Sequence, residues 1–278
     1  MIIHSDWHIH SEYSYDATST LEQIAINAKQ QGLRLCGITD HVNYNDKQFL
    51  SDLRASAAGV KMAMKKYPYM VLGAELTPIA KPEFDYIAKT GTRDGYVALL
   101  QSQPYEIELA ASKEELVSLG VRYAVGAAHW RVDRANGQMS DTDLDENIKE
   151  WYRQQLWLAR DERVTILGHP WYNAYRLWYD DFGVIPRAMN MEIAAALKEN
   201  GKYVECNAHF FSGSHTSDRF KRQYAEFLRE LFEIGIPVTY GSDTHRDYAD
   251  QRPDVESYLK MAGFADGDIS ELSEEALW

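Results

Sequence analysis

The stretch Met1-Ile2-Ile3-His4-Ser5-Asp6-Trp7-His8-Ile9-His10-Ser11 opens the chain with a short apolar run that leads into two histidines. We predict a β-strand here. Side chains alternate across a strand, so His8 and His10 project from the same face, about 6 to 7 Å apart along the backbone. Two imidazoles placed in this way can share a metal ion. A His-x-His pair also occurs by chance on protein surfaces, and the rest of the chain decides between these interpretations.

Further apolar runs of strand length follow at residues 35–39, 70–74, 123–128, 164–168, 203–206 and 236–240. Segments with the spacing of amphipathic helices separate most of them, at residues 21–32, 46–66, 143–160, 188–200 and 217–234. Ser19 and Glu22 form a capping-box pattern at the start of the first helix. Strands that alternate with helices along a chain form a parallel sheet. We therefore predict an α/β fold with seven parallel strands.

Polar side chains follow nearly every apolar run at its C-terminal end. They are His8 with His10, Asp40 with His41, Glu75, His129, His169, Asn207 with His209, and Asp243 with His245. Strand ends that simply meet polar loops would carry Ser, Asn, Gly and Lys rather than so many histidines. In a closed β/α barrel the C-terminal strand ends meet on one face. We therefore expect these side chains to converge on one cleft.

The composition is typical of one globular α/β domain that spans residues 1–278, with 45% hydrophobic residues. The chain has no run of about 18 apolar residues and no signal-peptide pattern, so we expect a cytoplasmic protein that does not span a membrane. Cys36 and Cys206 stand alone in apolar runs and are expected to be buried thiols. The formal net charge of −13, without a Lys/Arg block, argues against nucleic acid as a partner.

Two segments depart from the β/α pattern. Residues 77–119 carry Pro78, Pro82 and Pro104 among scattered aromatic residues, and we interpret them as an excursion or cap on the single domain. Residues 170–179 are crowded with aromatic side chains and follow His169 directly. These side chains either wall a pocket or pack as a small hydrophobic cluster, and the sequence leaves both interpretations open.

The polar residues at the strand ends also match the motifs of a known family. The chain resembles the PHP (polymerase and histidinol phosphatase) family of metal-dependent phosphoesterases in His8-x-His10, Asp16, Asp40-His41, Glu75, His129, His169 and Asp243-x-His245. The resemblance extends over almost the whole chain, from His8 to His245. The pattern His10-Ser11-x-x-Ser14-x-Asp16 is most similar to the histidinol-phosphatase type.

This resemblance implies a distorted TIM-like (β/α)7 barrel with three divalent metal ions at the C-terminal ends of the strands. The implied ligands are His8, His10, Glu75 and Asp243 for the first ion, Glu75, His129 and His169 for the second, and Asp16, His41 and His245 for the third. Imidazoles combined with carboxylates suit zinc, manganese or iron, whereas a set of oxygen ligands alone suits magnesium or calcium.

Such a ligand set suits the hydrolysis of phosphate esters. Three dications against the carboxylates of Asp16, Glu75 and Asp243 leave a formal surplus of positive charge, which attracts phosphate. Closely spaced ions also lower the pKa of a bridging water and so provide a hydroxide nucleophile. We expect Glu75 to be catalytic as a bridging ligand, and Asp243 as a ligand that also accepts or donates a proton. Asp6 and Asp40 are expected either to orient neighbouring imidazoles or to cap strand ends.

Other residues are placed to bind the rest of a substrate: Arg131, Arg176, His209 and His215. An arginine fork suits a terminal phosphate, although each of these side chains can equally be an ordinary surface residue. We expect an enzyme that hydrolyses a small phosphate monoester, with histidinol phosphate as the leading candidate and histidine biosynthesis as its setting. The alternatives are a nuclease or nucleotide phosphatase on the same site, and a metal-binding regulatory module without catalysis. The sequence does not predict the oligomeric state.

Overall fold

A computed structural model describes residues 2–43, 49–97, 103–132 and 143–278. The described strands are β1 (Ser5–Ile9), β2 (Leu35–Ile38), β3 (His41–Val42), β4 (Met70–Leu72), β5 (Ala74–Leu76), β6 (Ile79–Ala80), β7 (Ile107–Glu108), β8 (Ala124–Gly126), β9 (Ile166–Leu167), β10 (Tyr203–Asn207) and β11 (Val238–Gly241). The described helices are α1 (Leu21–Gln30), α2 (Phe49–Met64), α3 (Lys81–Thr90), α4 (Lys113–Ser118), α5 (Leu144–Leu158), α6 (Arg187–Glu199), α7 (His209–Ser212), α8 (Asp218–Glu233) and α9 (Arg252–Met261). Strands and helices therefore alternate through most of the chain.

The described barrel strands form seven runs that pair in chain order, because β2 continues into β3 and β4 continues into β5. Every pairing between neighbouring runs is parallel. The last run returns to the first, since the Asp243 N–H donates to the His8 carbonyl (2.8 Å) and the His10 N–H donates to the Thr244 carbonyl (3.0 Å). The predicted α/β fold, a distorted TIM-like barrel of seven strands, is confirmed.

The predicted helices lie close to the observed ones. α1, α5, α6 and α8 begin and end within two residues of the predicted segments, and the predicted start of α2, at residues 46–48, lies outside the described residues. The predicted capping box was wrong by one residue, because Thr20 is the N-cap of α1 and forms the box with Gln23. The Ser19 carbonyl instead accepts the N–H of Glu12 (2.9 Å), which holds Ser19 in the preceding loop.

Residues 77–119 contain more regular structure than their prolines suggested. β6 and β7 form an antiparallel ribbon outside the barrel, and Pro82 lies in the first turn of α3, where its missing N–H costs no hydrogen bond. The ribbon packs near α5, since the Arg153 side chain donates to the Tyr105 carbonyl (2.8 Å). Ile107 belongs to a buried cluster with Ala80, Tyr105 and Val132. The described part of this segment thus lies beside an outer helix.

A buried cluster fills the barrel near the N-terminal ends of its strands and includes Trp7, Tyr123, Val125, Ile166 and Tyr203. The Tyr123 hydroxyl donates to the Trp7 carbonyl (2.7 Å). Gly37 makes room for this ring, because a Cβ there would lie 1.8 Å from the Tyr123 hydroxyl. Leu272 from the C-terminal segment packs on the same cluster. The polar residues lie at the opposite, C-terminal ends of the same strands.

The outer helices bury one face against the barrel. In α8 the buried side chains recur three and four residues apart, as in an amphipathic helix: Phe220, Tyr224, Phe227, Leu228 and Leu231. None of the described helices is long and apolar enough to cross a membrane. Cys36 and Cys206 are buried free thiols, as predicted.

Candidate metal centre

The structure brings all nine predicted ligand residues together at the C-terminal ends of the barrel strands. Six of them line a cavity of 330 Å³, namely Asp16, His41, His129, His169, Asp243 and His245. His8, His10 and Glu75 lie behind these side chains, and each is at most 1% exposed. Side chains that are far apart in the sequence, from His8 to His245, therefore surround one small cavity.

Glu75 lies at the centre of this group and has no exposed surface. Its carboxylate oxygens lie within 3.6 Å of imidazole nitrogens on His8, His10, His41, His129 and His169. Oε1 is 3.2 Å from Nε2 of His169, whereas Oε2 is 3.6 Å from Nε2 of His10. The two oxygens therefore face different sets of imidazoles.

Two other carboxylates complete the group. Oδ1 of Asp243 lies 3.3 Å from Nε2 of His10, and Oδ2 of Asp16 lies 3.5 Å from Nε2 of both His41 and His245. Possible ligand atoms lie within 4.8 Å of one another in three overlapping groups: His8, His10 and Asp243; His41, Glu75 and His129; and His10, His41 and His245. These groups share members with the predicted sets but place His41 nearer to Glu75 and His129 than the family resemblance implied.

Hydrogen bonds orient three of the imidazoles from behind. Nδ1 of His8 lies 2.7 Å from Oε1 of Glu205, Nδ1 of His10 lies 3.0 Å from Oγ of Ser14, and Nδ1 of His129 lies 3.0 Å from Oγ1 of Thr77. In each ring this leaves Nε2 to face the group of carboxylates. Metal-binding histidines are typically held in this way, so the residues present fit divalent metal ions.

The sequence interpretation missed Glu205, Ser14 and Thr77. Glu205 carried a signal that could have found it, because it is a charged residue inside the apolar run 203–206. Ser14 and Thr77 are short hydroxyl side chains close to predicted ligands in sequence, and such residues are too common near strand ends to be informative.

Asp40 acts on an imidazole through another side chain. It accepts hydrogen bonds from the hydroxyls of Ser14 (3.0 Å) and Ser56 (2.6 Å), and from the Ser11 N–H (2.7 Å). Ser14 in turn contacts Nδ1 of His10. Asp40 is thus connected to the His10 imidazole through Ser14, and it also caps the backbone at Ser11.

Asp6 caps a strand junction and contacts no imidazole among the described residues. It accepts the N–H of Ser242 (2.9 Å), the N–H of His8 (3.2 Å) and the hydroxyl of Tyr248 (2.8 Å). Burial raises the pKa of Asp6 to about 6, although these hydrogen bonds oppose the shift. Of the two roles expected for Asp6, the geometry matches capping.

Burial and neighbouring charges shift the pKa values of the ligand candidates in different directions. Burial lowers the pKa of His10 to about 3, with a further contribution from His41, and burial also lowers the pKa of His129. Burial alone would raise the pKa of Glu75 and Asp243, but the neighbouring histidines outweigh it and hold both pKa values well below their ordinary range. Burial would also lower the pKa of His8, His41 and His169, but nearby carboxylates outweigh it and raise all three pKa values, that of His41 to about 10. Neutral imidazoles and ionised carboxylates are the forms that bind metal ions, so binding would release protons from these three rings.

Two of the ligand candidates have unusual backbone conformations. The φ angle is +22° at His169 and +54° at Asp243, which side chains other than glycine rarely adopt. Such residues cost of order 1–3 kcal/mol each and persist where surrounding contacts fix them, often at functional sites. A hydrogen bond from the backbone N–H fixes each residue. The N–H of Asp243 donates to the His8 carbonyl, and the N–H of His169 donates to the Glu205 carboxylate.

Aromatic side chains surround the mouth of the cavity. Tyr15 is 72% exposed and stacks on the ring of His41 at 5.3 Å, while the ring of Trp130 lies 5.6 Å from that of His129. Tyr172 from the aromatic loop also lines the cavity. Other aromatic residues of that loop are buried in the core, namely Trp171, Trp178 and Tyr179. The loop therefore both walls a pocket and packs as a hydrophobic cluster.

Of the four residues predicted to bind substrate, two lie at or beside the cavity and two lie outside its described lining. His209 lines the cavity, and the His215 ring lies 4.3 Å from the His209 ring. Arg176 is exposed and Arg131 is half-buried, and neither belongs to the described lining of the cavity. No described side chain of residues 77–119 lines it either.

The chain is similar to known proteins over most of its length. A family model described as the PHP domain matches residues 6–209. A probable phosphatase of Acetivibrio thermocellus is 22% identical over 241 residues, which is 86% of this chain and 78% of that protein. The crystal structure of histidinol phosphate phosphatase from Lactococcus lactis, complexed with zinc, L-histidinol and phosphate, has a TM-score of 0.66 at 17% identity and covers 98% of each chain.

Proposed function

Because the chain belongs to the PHP domain family, we propose that it is a metal-dependent phosphoesterase that hydrolyses a small phosphate monoester. Histidinol phosphate is the leading candidate substrate. The observation that carries the proposal is the buried carboxylate of Glu75, which lies within 3.6 Å of nitrogens from five imidazoles. Neutral imidazoles, the form that binds metal, do not balance the charge of this buried carboxylate, and bound cations would do so.

We assign nine residues to hold the ions: His8, His10, Asp16, His41, Glu75, His129, His169, Asp243 and His245. When bound, divalent zinc, manganese or iron would neutralise phosphate oxygens and activate the attacking water. Asp243 borders the cavity, and its Oδ2 accepts a hydrogen bond from the Asn207 amide (3.2 Å). This contact orients the carboxylate, which we assign to accept or donate a proton during hydrolysis.

The volume of the cavity favours a small substrate. Its volume of 330 Å³ lies at the lower end of the range for small-molecule sites. Tyr15, Trp130 and Tyr172 offer aromatic surfaces against which a planar leaving group such as an imidazole ring can stack. His209 lies beside them as a hydrogen-bonding group. We propose that these side chains bind the organic part of the monoester, with Arg131, Arg176 and His215 contributing from the rim.

A metal analysis coupled to a phosphate-release screen tests this function. The purified protein is loaded with zinc, manganese or iron and assayed on a panel of small monoesters that includes histidinol phosphate. We expect metal-dependent phosphate release that Glu75→Gln largely abolishes. Release that persists after complete metal removal would contradict the proposal. Tight metal binding without hydrolysis of any compound would favour the regulatory module, and preferential cleavage of oligonucleotides would favour a nuclease.

A further inference from the structure

Glu205 is a carboxylate, 1% exposed, that contacts two of the proposed ligand residues from behind. It lies in β10, and its Oε1 is 2.7 Å from Nδ1 of His8 while its Oε2 accepts the backbone N–H of His169. We infer that Glu205 is a positioning residue that holds both His8 and His169 in the orientation that binds metal. The inference rests on the proposed metal site, in which these two histidines serve different ions.

The contact with His8 fixes which nitrogen of that ring carries the hydrogen. A carboxylate oxygen accepts hydrogen bonds, so Nδ1 of His8 carries a hydrogen and Nε2 is the nitrogen that would bind the proposed ion. Nε2 lies 3.4 Å from Oε1 of Glu75 and 3.6 Å from Oδ1 of Asp243. Nε2 therefore faces the two carboxylates proposed to share an ion with His8.

The contact with His169 fixes the backbone that carries the second imidazole. His169 follows β9 with a φ angle of +22°, a conformation that needs support from its surroundings. The hydrogen bond from its N–H to Glu205 gives that support. The ring then places Nε2 3.2 Å from Oε1 of Glu75.

The fold leaves room for this carboxylate. A Cβ at Gly241, in the neighbouring strand β11, would lie 1.9 Å from Oε1 of Glu205. The Asn207 amide donates to Oε2 of Glu205 (3.2 Å) and also to Oδ2 of Asp243 (3.2 Å). Both oxygens of Glu205 are thus occupied as acceptors, and Asn207 connects it to a third ligand candidate.

The substitution Glu205→Gln tests the inference, because an amide offers one acceptor and one donor where the carboxylate offers two acceptors. It cannot accept hydrogen bonds at both oxygens from His8 and the His169 N–H. We expect zinc affinity to fall about 10- to 100-fold, measured by competition with a chromophoric chelator. The absorption spectrum of the cobalt-loaded protein should change as well, which a purely structural role would not cause.

Glu256→Gln is the matched control. Glu256 is a buried glutamate in α9 whose Oε1 accepts the N–H groups of Ile2 (2.8 Å) and Ile3 (3.1 Å), away from the ligand group. This variant should bind zinc as tightly as the unaltered protein. Glu205→Asp is the second variant if the amide does not fold, since it keeps the charge but is one carbon shorter and should also weaken zinc binding.

Unchanged zinc affinity and an unchanged cobalt spectrum in both Glu205 variants would overturn the inference. Glu75→Gln distinguishes this outcome from failure of the proposed function. If Glu75→Gln loses metal while the Glu205 variants do not, the metal site stands and only the role of Glu205 is wrong. If Glu75→Gln also keeps its metal and the unaltered protein releases no phosphate, the proposed function itself is contradicted.

Discussion

Oγ1 of Thr77 lies 3.0 Å from Nδ1 of His129, so a hydroxyl that follows the third strand run orients an imidazole that follows the fourth. Nε2 of the same ring lies 3.4 Å from Oε1 of Glu75, two residues before Thr77. Thr77→Val keeps the shape of the side chain but removes this hydrogen bond. We predict a loss of zinc affinity of about tenfold, at the lower end for such orienting contacts. Thr77→Ser, which keeps the hydroxyl, is the control in the same chelator competition, and equal affinity of all three proteins would contradict the prediction.

Removing the metal ions should destabilise the fold, because the proposed ligands come from the ends of six of the seven described strand runs. An ion that binds only the folded state stabilises it by about 4 kcal/mol at a thousandfold excess over its dissociation constant. For a chain of this size we predict that chelation lowers the melting temperature by on the order of 10 °C. Differential scanning calorimetry before and after chelation measures the shift. An unaltered melting curve after verified metal loss would rule out this role.

Gly37→Ala should destabilise the barrel through Tyr123. The new Cβ would lie 1.8 Å from the Tyr123 hydroxyl and 3.2 Å from the Cα of Trp7, so the packed ring must move. We predict a loss of about 1–3 kcal/mol in the free energy of unfolding, measured by urea denaturation. Tyr123→Phe removes the clashing oxygen and should offset part of that loss when combined with Gly37→Ala. Strict additivity of the two single substitutions would show that this contact is not the cause.

Arg176→Ala should weaken the turnover of phosphate monoesters. Arg176 is exposed on the aromatic loop, and its charge adds to the effect of burial, which lowers the pKa of His209 in the lining of the cavity. A hydrogen bond to a charged group contributes about 1.5–3 kcal/mol, so we predict a loss of at least about tenfold in kcat/KM. Arg176→Lys keeps the charge and should retain part of the rate. An unchanged kcat/KM for monoesters in the Arg176→Ala variant would contradict a role for Arg176 at the rim of the cavity.

The positions of the proposed ligands could be predicted from the sequence because strand polarity places all C-terminal ends on one face. His8 and His10 follow from the alternation of side chains along β1, and His129 and His169 from their places after apolar runs. No rule of spacing could pair Glu205 with His8, since the two residues are 197 positions apart. The alternation along 203–206 does not say which ligand a buried carboxylate will contact.

Local competition explains the details that the sequence interpretation placed incorrectly. Ser19 with Glu22 and Thr20 with Gln23 both satisfy the capping-box pattern, and the hydrogen bond from Glu12 to the Ser19 carbonyl decides between them. Pro82 suggested irregular chain, but proline is equally compatible with the first turn of a helix. In the first case a tertiary contact decides between two possible N-caps. In the second case the residue type is compatible with both a loop and a helix.

The most direct test of the proposed function compares specificity constants for different phosphate esters on one metal-loaded preparation. A terminal phosphate dianion gains more attraction from a site with surplus positive charge than a singly charged diester does. We predict that kcat/KM for histidinol phosphate or another small monoester clearly exceeds that for a bis-aryl phosphodiester and for single-stranded DNA. A clear preference for the diester or for the DNA would contradict the monoesterase proposal and favour a nuclease.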